Sequence, residues 1–132
     1  MSNKMDGVCQ EILERTEWVA IVTRDSDTGL PHLVATWGDY IRNFGIIEGE
    51  TILIPAGRYH KTEANLRESK SLQLLIASKQ VERSGGRRGQ GCILYGEGEI
   101  QTEGEFARRV KEKYTWARGA LVVRVQRFET LL

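Results

Sequence analysis

The stretch WVAIVTRDSDTGLPHLVATW, residues 18–37, predicts a β-hairpin. Residues 18–23 form a continuous apolar run of strand length, and residues 32–37 form a second run that suits a strand. Residues 25–29 between them are rich in Asp, Ser and Gly, the residue types that favour tight turns. Two strands joined by so short a connection run antiparallel, because a parallel pair needs a long crossover. The hairpin therefore indicates an antiparallel sheet.

The rest of the chain repeats this pattern of short strands and frequent turns. Further strands are predicted at residues 51–55, 72–77, 92–100 and 120–125, and helices at about residues 1–15, 62–69 and 103–114. The first helix is predicted from an apolar repeat that runs from Met5 to Leu13. A doubly wound parallel sheet would need a helix after nearly every strand, and several connections are too short for that. The pattern predicts a mainly β protein, an antiparallel sheet closed into a small barrel with peripheral helices.

Length and composition exclude several classes of protein. The 132 residues predict one domain, residues 1–132, and 19 Lys and Arg against 18 Asp and Glu argue against a nucleic-acid-binding surface. No apolar run approaches the roughly 20 residues of a membrane span, and the N-terminus lacks the apolar region of a signal peptide. Cys9, Cys92, His32 and His60 lack the spacing of a metal site or a disulfide framework. We expect a cytoplasmic protein without a metal, a membrane or a nucleic acid as partner.

Residues 55–65, with the sequence PAGRYHKTEAN, predict a phosphate-binding site. A strand, a glycine-containing turn and a polar helix follow one another, so unpaired backbone N–H groups and the positive end of the helix dipole meet at the helix start. Such a start favours a phosphate, which Arg58, Lys61 and the Thr62 hydroxyl could help to bind. The same residues also suit an ordinary helix start, in which Thr62 is the N-cap and Lys61 is solvated. The sequence leaves both interpretations open.

Aromatic residues elsewhere could form the remainder of a ligand site. Thr36, Trp37 and Tyr40 follow closely on one another, and Trp116 lies between the last predicted helix and the last strand. Each aromatic side chain could equally fill the core or close an end of the barrel. A flat heteroaromatic ring would nevertheless be stabilised by stacking on such residues. Combined with the phosphate site, they predict a flat aromatic ligand that carries a phosphate.

No arrangement of catalytic side chains stands out in the sequence. Neither a Ser/His/Asp nor a Cys/His arrangement occurs at an informative spacing, so any chemistry is expected to come from a cofactor. The segment SGGRRGQG, residues 84–91, lacks the spacing of a phosphate loop and precedes a strand rather than a helix. We expect it to be a mobile connection whose Arg87 and Arg88 could contact a ligand or a partner.

Five segments carry a resemblance to a known family: residues 18–23, 29–37, 60–65, 114–122 and 129–132. The segments HKTEAN (60–65) and WAR (116–118) are the specific ones. In order along the chain, these segments resemble the small FMN-binding proteins of sulfate-reducing bacteria, within the pyridoxamine 5′-phosphate oxidase-like FMN-binding split-barrel superfamily. The resemblance runs from about residue 10 to the C-terminus. It implies a six-stranded antiparallel split β-barrel that forms a homodimer and binds one FMN per subunit near the interface.

The resemblance also implies a set of cofactor-binding residues: Ala35, Thr36, Trp37, Tyr40, His60, Lys61, Thr62, Trp116 and Leu132. In this interpretation Lys61 and Thr62 hold the phosphate, and Thr36 and Trp37 lie along the flavin. Tyr40 and Trp116 stand beside the ring, while Leu132 and residues near Thr16 reach the flavin of the partner subunit. Relatives carry Asn where this chain has Ala35, so the resemblance does not extend to a side-chain polar contact with the cofactor at that position. Relatives also often carry an acidic residue at Thr16.

The sequence therefore predicts an FMN-binding flavoprotein that transfers electrons and uses no catalytic side chain of its own. Its redox partner, or a small-molecule electron donor, is not identified by the sequence. One alternative is an NAD(P)H-dependent oxidoreductase of the same fold that acts on flavin or a small substrate. Another is a flavin carrier or redox-sensing module in which Arg87 and Arg88 contact a partner protein.

Overall fold

The structure, a computed structural model, describes residues 7–132. Its elements in chain order are α1 (Gly7–Arg15), β1 (Trp18–Arg24), β2 (Pro31–Trp37), α2 (Gly38–Arg42), β3 (Thr51–Ala56), α3 (His60–Glu68), β4 (Ser71–Arg83), β5 (Arg87–Gln101), α4 (Glu105–Lys113) and β6 (Gly119–Thr130). A 3-10 turn at Ser84–Gly86 joins β4 to β5. The Met5 end of the first predicted helix lies outside the described residues. The mainly β prediction and all six predicted strands are confirmed.

The six strands form one curled antiparallel sheet in the order β2-β1-β4-β5-β6-β3. The predicted hairpin is confirmed, with Trp18 opposite Trp37 and Arg24 opposite Pro31. β2 and β3 are the two ends of this order, so the barrel is split between them. At the centre, β5 changes register against β6 beside Gly96, where a Cβ would lie 2.3 Å from the Arg124 carbonyl oxygen. The close backbone approach expected at a strand glycine is therefore present.

The apolar core fills the inside of the curl. Fully buried side chains from the strands, among them Ile21, Ile54, Leu74 and Leu94, pack in one cluster with α1 residues such as Ile12. A smaller cluster, which includes Leu53, Val110, Ala117, Ala120 and Val122, lies between α4 and the β3–β6 pair. The helices thus cover apolar faces of the sheet, as their amphipathic sequences indicate.

The prediction for residues 84–91 was wrong for most of the segment. β4 continues to Arg83 and β5 begins at Arg87, so only the turn Ser84–Gly86 lies outside the hairpin. Gly85 and Gly86 have φ values of 81° and 73°, which glycine adopts without steric cost and which allow the tight turn. The Arg88 guanidinium donates to the Gln80 carbonyl oxygen at 2.8 Å across the hairpin. The strands were not predicted because both faces of this extension lie mostly in solvent. Its sequence is therefore polar and lacks the apolar run from which a strand is predicted.

The helix α2 was not predicted, because five residues are too few to show a helical repeat. It is held against the end of α1 by Arg42, whose Nη1 donates to the carbonyl oxygens of Thr16 at 2.7 Å and Leu13 at 3.1 Å. Gly38, its first residue, is packed so closely that a Cβ would lie 2.1 Å from the Thr16 carbonyl oxygen. This contact fixes where the chain turns as it leaves β2.

No helix within residues 7–132 combines the length and the apolar character that a membrane crossing requires.

Replacing Gly38 by Ala should destabilise the protein, because a methyl group would overlap the Thr16 carbonyl oxygen. Overpacking of this kind costs about 1–3 kcal/mol, which corresponds to a fall of several degrees in the melting temperature. Thermal unfolding followed by circular dichroism measures the effect. Gly7→Ala is the control, since no atom lies within 4 Å of a Cβ at Gly7. Equal melting temperatures for the two variants would contradict the close approach.

Candidate functional site

An open groove of about 430 Å³ lies between the two end strands of the curled sheet. Its lining residues come from β2, α2, β3, the loop that follows β3, and the segment between α4 and β6: Ala35, Thr36, Trp37, Tyr40, Pro55, Gly57, Arg58, Tyr59 and Trp116. Five of the nine predicted site residues are among them. The volume falls within the range of small-molecule sites. The tertiary structure thus brings the two aromatic segments together at the turn that precedes α3.

Three aromatic rings cluster at one side of the groove. The ring centroids of Tyr40 and Trp116 lie 5.6 Å apart, and Tyr114 lies 5.0 Å from Tyr40 and 5.7 Å from Trp116. Gly57 allows this arrangement, because a Cβ there would lie 3.0 Å from the Trp116 ring. Trp116 and Trp37 nevertheless remain 52% and 54% exposed. Large aromatic surfaces that are held in place yet half exposed are suited to stacking on a flat ligand.

Tyr59 is a site residue that the sequence analysis missed. It precedes α3 with φ 65° and ψ 34°, a left-handed backbone that is unusual for a non-glycine residue and is often found at functional sites. Its hydroxyl donates to the Ala35 carbonyl oxygen at 3.4 Å and so bridges to β2. Burial raises the pKa of Tyr59, while a hydrogen bond with Thr36 acts in the opposite direction. Its position beside the predicted helix start was the only signal in the sequence.

The helix α3 begins at His60, two residues earlier than predicted, and this excludes Thr62 as its N-cap. Tyr59 occupies the cap position, and its carbonyl oxygen accepts from the Glu63 N–H at 2.8 Å. Thr62 is fully buried, and its Oγ1 has no hydrogen-bond partner. A buried polar group without a partner costs about 1–3 kcal/mol. A ligand oxygen that reached the first turn of α3 would satisfy this hydroxyl, which no group of the described residues does.

Lys61 is held by two carboxylates and would have to leave them to receive a phosphate. Its Nζ lies 2.6 Å from Asp27 Oδ2 and 3.3 Å from Asp25 Oδ1, both in the turn between β1 and β2. The hydrogen bond that Lys61 donates to Asp27 is the main reason why the pKa of Lys61 is raised. The pKa of Asp25 is lowered, first by the backbone N–H groups of Asp27 and Thr28 and also by Lys61. Lys61 therefore joins α3 to this turn, and its predicted contact with a phosphate stays a prediction.

The other four predicted site residues, His60, Lys61, Thr62 and Leu132, lie outside the lining of the groove. His60 is exposed at the first position of α3. The Leu132 backbone is held by Gln90, whose Oε1 accepts from the Leu132 N–H at 2.9 Å and whose Nε2 donates to its carbonyl oxygen at 3.0 Å. The Leu132 side chain is 65% exposed. A contact between Leu132 and the site of a partner subunit stays a prediction.

Arg118 is the second site residue that the sequence analysis missed. Its guanidinium donates from Nε and Nη2 to the Arg58 carbonyl oxygen, at 3.1 and 2.7 Å, and from Nη2 to Glu63 Oε1 at 3.0 Å. It therefore connects the Trp116 segment with the turn before α3. Its partners lie 55 and 60 residues away in the sequence, so no local pattern could have indicated them.

A second open groove, of about 450 Å³, lies where β1, β4, β5 and β6 meet the turn between β1 and β2. Val22, Gln73, Tyr95 and Arg127 are among its lining residues. Tyr95 is already covered by the Arg127 guanidinium, 3.6 Å from the ring centroid. None of the nine predicted residues lines this groove, so the first groove is the better candidate site.

Comparison with known proteins decides the family. The chain is 33% identical over 128 residues to the FMN-binding protein of Nitratidesulfovibrio vulgaris, strain Miyazaki F, and the match covers 97% of this chain and 99% of that protein. The chain belongs to this family of FMN-binding proteins. No protein-family model matches the chain.

Solved structures of similar fold support the split-barrel architecture of this family member. HupZ from Group A Streptococcus has a TM-score of 0.75 at 17% identity, over 96% of this chain and 94% of HupZ. An FMN-binding protein from Syntrophomonas wolfei has a TM-score of 0.64 at 17% identity, over 93% of this chain and 83% of its own. A Lactobacillus delbrueckii protein, provisionally described as a pyridoxamine 5′-phosphate oxidase, has a TM-score of 0.70 at 11% identity, over 97% and 95%.

Replacing Asp25 by Asn should lower stability at neutral pH but not in acid. The folded-state pKa of Asp25 is below its ordinary value, so its stabilising effect is present above the unfolded pKa, about 3.9, and is lost as the pH falls through the folded pKa. The difference in melting temperature between the two proteins should therefore shrink as the pH falls below about 4.

Lys61→Met is the control for this experiment, because it leaves the two backbone hydrogen bonds to Asp25 in place. A Lys61→Met protein should keep most of the acid dependence. If Lys61→Met abolished it as completely as Asp25→Asn does, the ion pair rather than the turn would be its main cause.

Proposed function

We propose that this protein binds FMN in the groove between β2 and β3 and acts in electron transfer. Two observations carry the proposal: the fully buried Thr62 hydroxyl, which lacks a partner in the first turn of α3, and the groove walled by aromatic rings, whose lining residue Tyr59 directly precedes that helix. The two features match the two ends of a phosphate-bearing aromatic cofactor. The name of the Nitratidesulfovibrio relative supports the choice of FMN.

The phosphate end of FMN fits the first turn of α3. Backbone N–H groups in that turn have no partner within the helix, and the helix dipole favours an anion there. The Thr62 hydroxyl would donate to a phosphate oxygen. This bond would remove the free-energy cost of a buried hydroxyl without a partner. Lys61 would join it by leaving Asp27, whose side chain is 80% exposed and can be hydrated instead. Hydrogen bonds to charged groups contribute about 1.5–3 kcal/mol each.

The ring end of FMN fits the aromatic wall of the groove. Trp37, Tyr40 and Trp116 would stack against the flavin and shield it from water. Bound FMN supplies the electron-transfer chemistry itself. Tyr59, with its raised pKa, keeps its proton at neutral pH and remains a hydrogen-bond donor at the edge of the site. Ala35 has no polar side chain, so the polar groups at that position belong to its backbone. Its carbonyl oxygen accepts from the Tyr59 hydroxyl.

We also propose that the protein acts as a homodimer in the cytoplasm. The side chains of Leu33, Ala35 and Trp37 alternate along β2 with buried or half-buried ones, and they share the outer face of the hairpin with Trp18. Trp18, Leu33 and Trp37 are 47%, 62% and 54% exposed. This outer face is continuous with the groove through Ala35 and Trp37. A second subunit placed on it would cover apolar surface and complete the wall of the site.

Thr62→Val should raise the stability of the ligand-free protein and weaken its binding of FMN. Valine has nearly the shape of threonine but removes the buried hydroxyl that lacks a partner. The dissociation constant for FMN should rise at least about tenfold, the equivalent of one lost charge-assisted hydrogen bond. Titration of flavin fluorescence and a thermal melt without ligand measure the two effects. Riboflavin, which lacks the phosphate, is the matched ligand and should bind both proteins equally.

The wild-type protein provides the test of the proposed function. It should bind FMN, and its bound flavin should be reduced by dithionite and reoxidised reversibly. A protein that remained colourless after mixing with FMN would exclude the proposal. Rapid and repeated reduction by NADH or NADPH would instead favour the oxidoreductase alternative.

Leu33→Arg should convert a dimer into a monomer with little effect on folding, because the side chain is 62% exposed in one subunit. Light scattering should give twice the 15.0 kDa chain mass for the wild type and a single chain mass for the variant. Val8→Arg introduces the same charge on α1, away from the hairpin, and should remain dimeric. A monomeric wild type would contradict the dimer.

A further inference from the structure

Arg118 holds three backbone segments together directly behind the groove. Its Nε and Nη2 both donate to the Arg58 carbonyl oxygen, and its Nη2 also lies 3.0 Å from Glu63 Oε1. Its own backbone N–H donates to the Ala56 carbonyl oxygen at 2.8 Å. The side chain is only 26% exposed, so these contacts are partly shielded from water. One residue therefore contacts the end of β3, the turn after it and the first turn of α3.

The contacts of Arg118 act on the most unusual backbone of the site. The Arg58 carbonyl belongs to the peptide group that leads into Tyr59, whose φ is 65°. A left-handed backbone at a tyrosine persists only where its surroundings hold it. Glu63 lies on α3 three residues after the helix begins. By binding both groups, Arg118 fixes the direction in which the first turn of α3 faces the groove.

The position of Arg118 in the chain also connects the two ends of the site. It lies two residues after Trp116, whose ring packs against Gly57 of the same turn. The aromatic wall and the start of α3 come from distant parts of the sequence, and Arg118 bonds to both the turn and the helix. A ligand that spans the groove needs a constant distance between these two parts. A loose connection would cost binding free energy, because the ligand would have to order it.

We propose that Arg118 is the positioning residue of the groove. It holds the start of α3 at a constant distance from the Trp116 ring. This inference rests on the proposed function for its ligand, FMN, but its structural part concerns the protein alone. Arg118 is not proposed to contact the phosphate. It acts through the Arg58 carbonyl and Glu63, and its planar guanidinium is suited to binding both at once.

Arg67 is the matched control for Arg118. Its Nη2 lies 3.1 Å from the other carboxylate oxygen of Glu63, within α3, but it has no hydrogen bond to the Arg58–Tyr59 turn among those of the described residues. Removing either arginine removes one ion pair from Glu63. Only the removal of Arg118 also releases the turn.

The test compares Arg118→Met, Arg118→Lys and Arg67→Met with the wild type. The dissociation constant for FMN should rise about tenfold or more in Arg118→Met and stay within about twofold of wild type in Arg67→Met. Riboflavin binding should change less than FMN binding, because the phosphate end of the site is released. Arg118→Lys keeps the charge but not the planar pair of donors, so it should restore FMN binding only in part.

Hydrogen exchange without ligand measures the positioning directly. The Glu63 amide, which donates to the Tyr59 carbonyl oxygen, should exchange faster in Arg118→Met than in Arg67→Met, while amides of β4 and β5 should be unchanged. Equal exchange in the two variants would overturn the proposal, and so would a loss of melting temperature with an unchanged ratio of FMN to riboflavin affinity. A wild type that failed to bind FMN would exclude the proposed function, whereas faster exchange of the Glu63 amide in Arg118→Met, with β4 and β5 unchanged, would still support the positioning role.

Discussion

The strand order β2-β1-β4-β5-β6-β3 leaves the curled sheet open between its first and last strands, and the rest of the structure is arranged around this opening. An open sheet edge presents backbone groups and apolar side chains that must be covered or used. α2, the turn after β3 and the segment around Trp116 all meet there and line the groove. The candidate site is therefore a direct consequence of incomplete closure of the barrel.

Polar contacts, rather than apolar packing alone, define the geometry at this opening. Tyr59 bridges to β2 through the Ala35 carbonyl, and Arg118 bridges to the turn and to α3. Lys61 attaches α3 to the turn between β1 and β2. Directional hydrogen bonds to backbone carbonyls restrict shifts of these segments beyond what packing alone does. The exposed aromatic rings are thus held in fixed positions without being buried.

The two proposed parts of the site differ in their effect on the stability of the protein without a ligand. The unpaired Thr62 hydroxyl and the left-handed Tyr59 backbone both cost folding free energy in the protein without a ligand. A protein can keep such destabilising features at a place where a bound ligand offsets their cost in free energy. The aromatic wall has no comparable cost, since half-exposed tryptophans are tolerated singly. The start of α3 is therefore the part of the proposed site at which a ligand would recover the most folding free energy.

The sequence by itself determined the elements and the class of fold. The apolar runs of β1 and β3, the turn residues 25–29 and the absence of helices between most strands predicted an antiparallel sheet, because these signals are local. It also predicted that a helix begins after Gly57 and that aromatic residues from other segments complete a ligand site near this helix start. It missed α2, which is too short for a periodic pattern, and the solvent-exposed extension of the β4–β5 hairpin.

The tertiary structure alone decided how the site is held together. Arg118 and Arg58 are 60 residues apart in the sequence, and Lys61 and Asp27 are 34 residues apart. Local sequence patterns therefore cannot predict that these residues are in contact. A positive φ at Tyr59 could not be predicted either, since tyrosine rarely adopts it without support from its surroundings. Strand and turn formation depend on residues that are neighbours in the chain, whereas the groove depends on contacts that exist only once the sheet has curled.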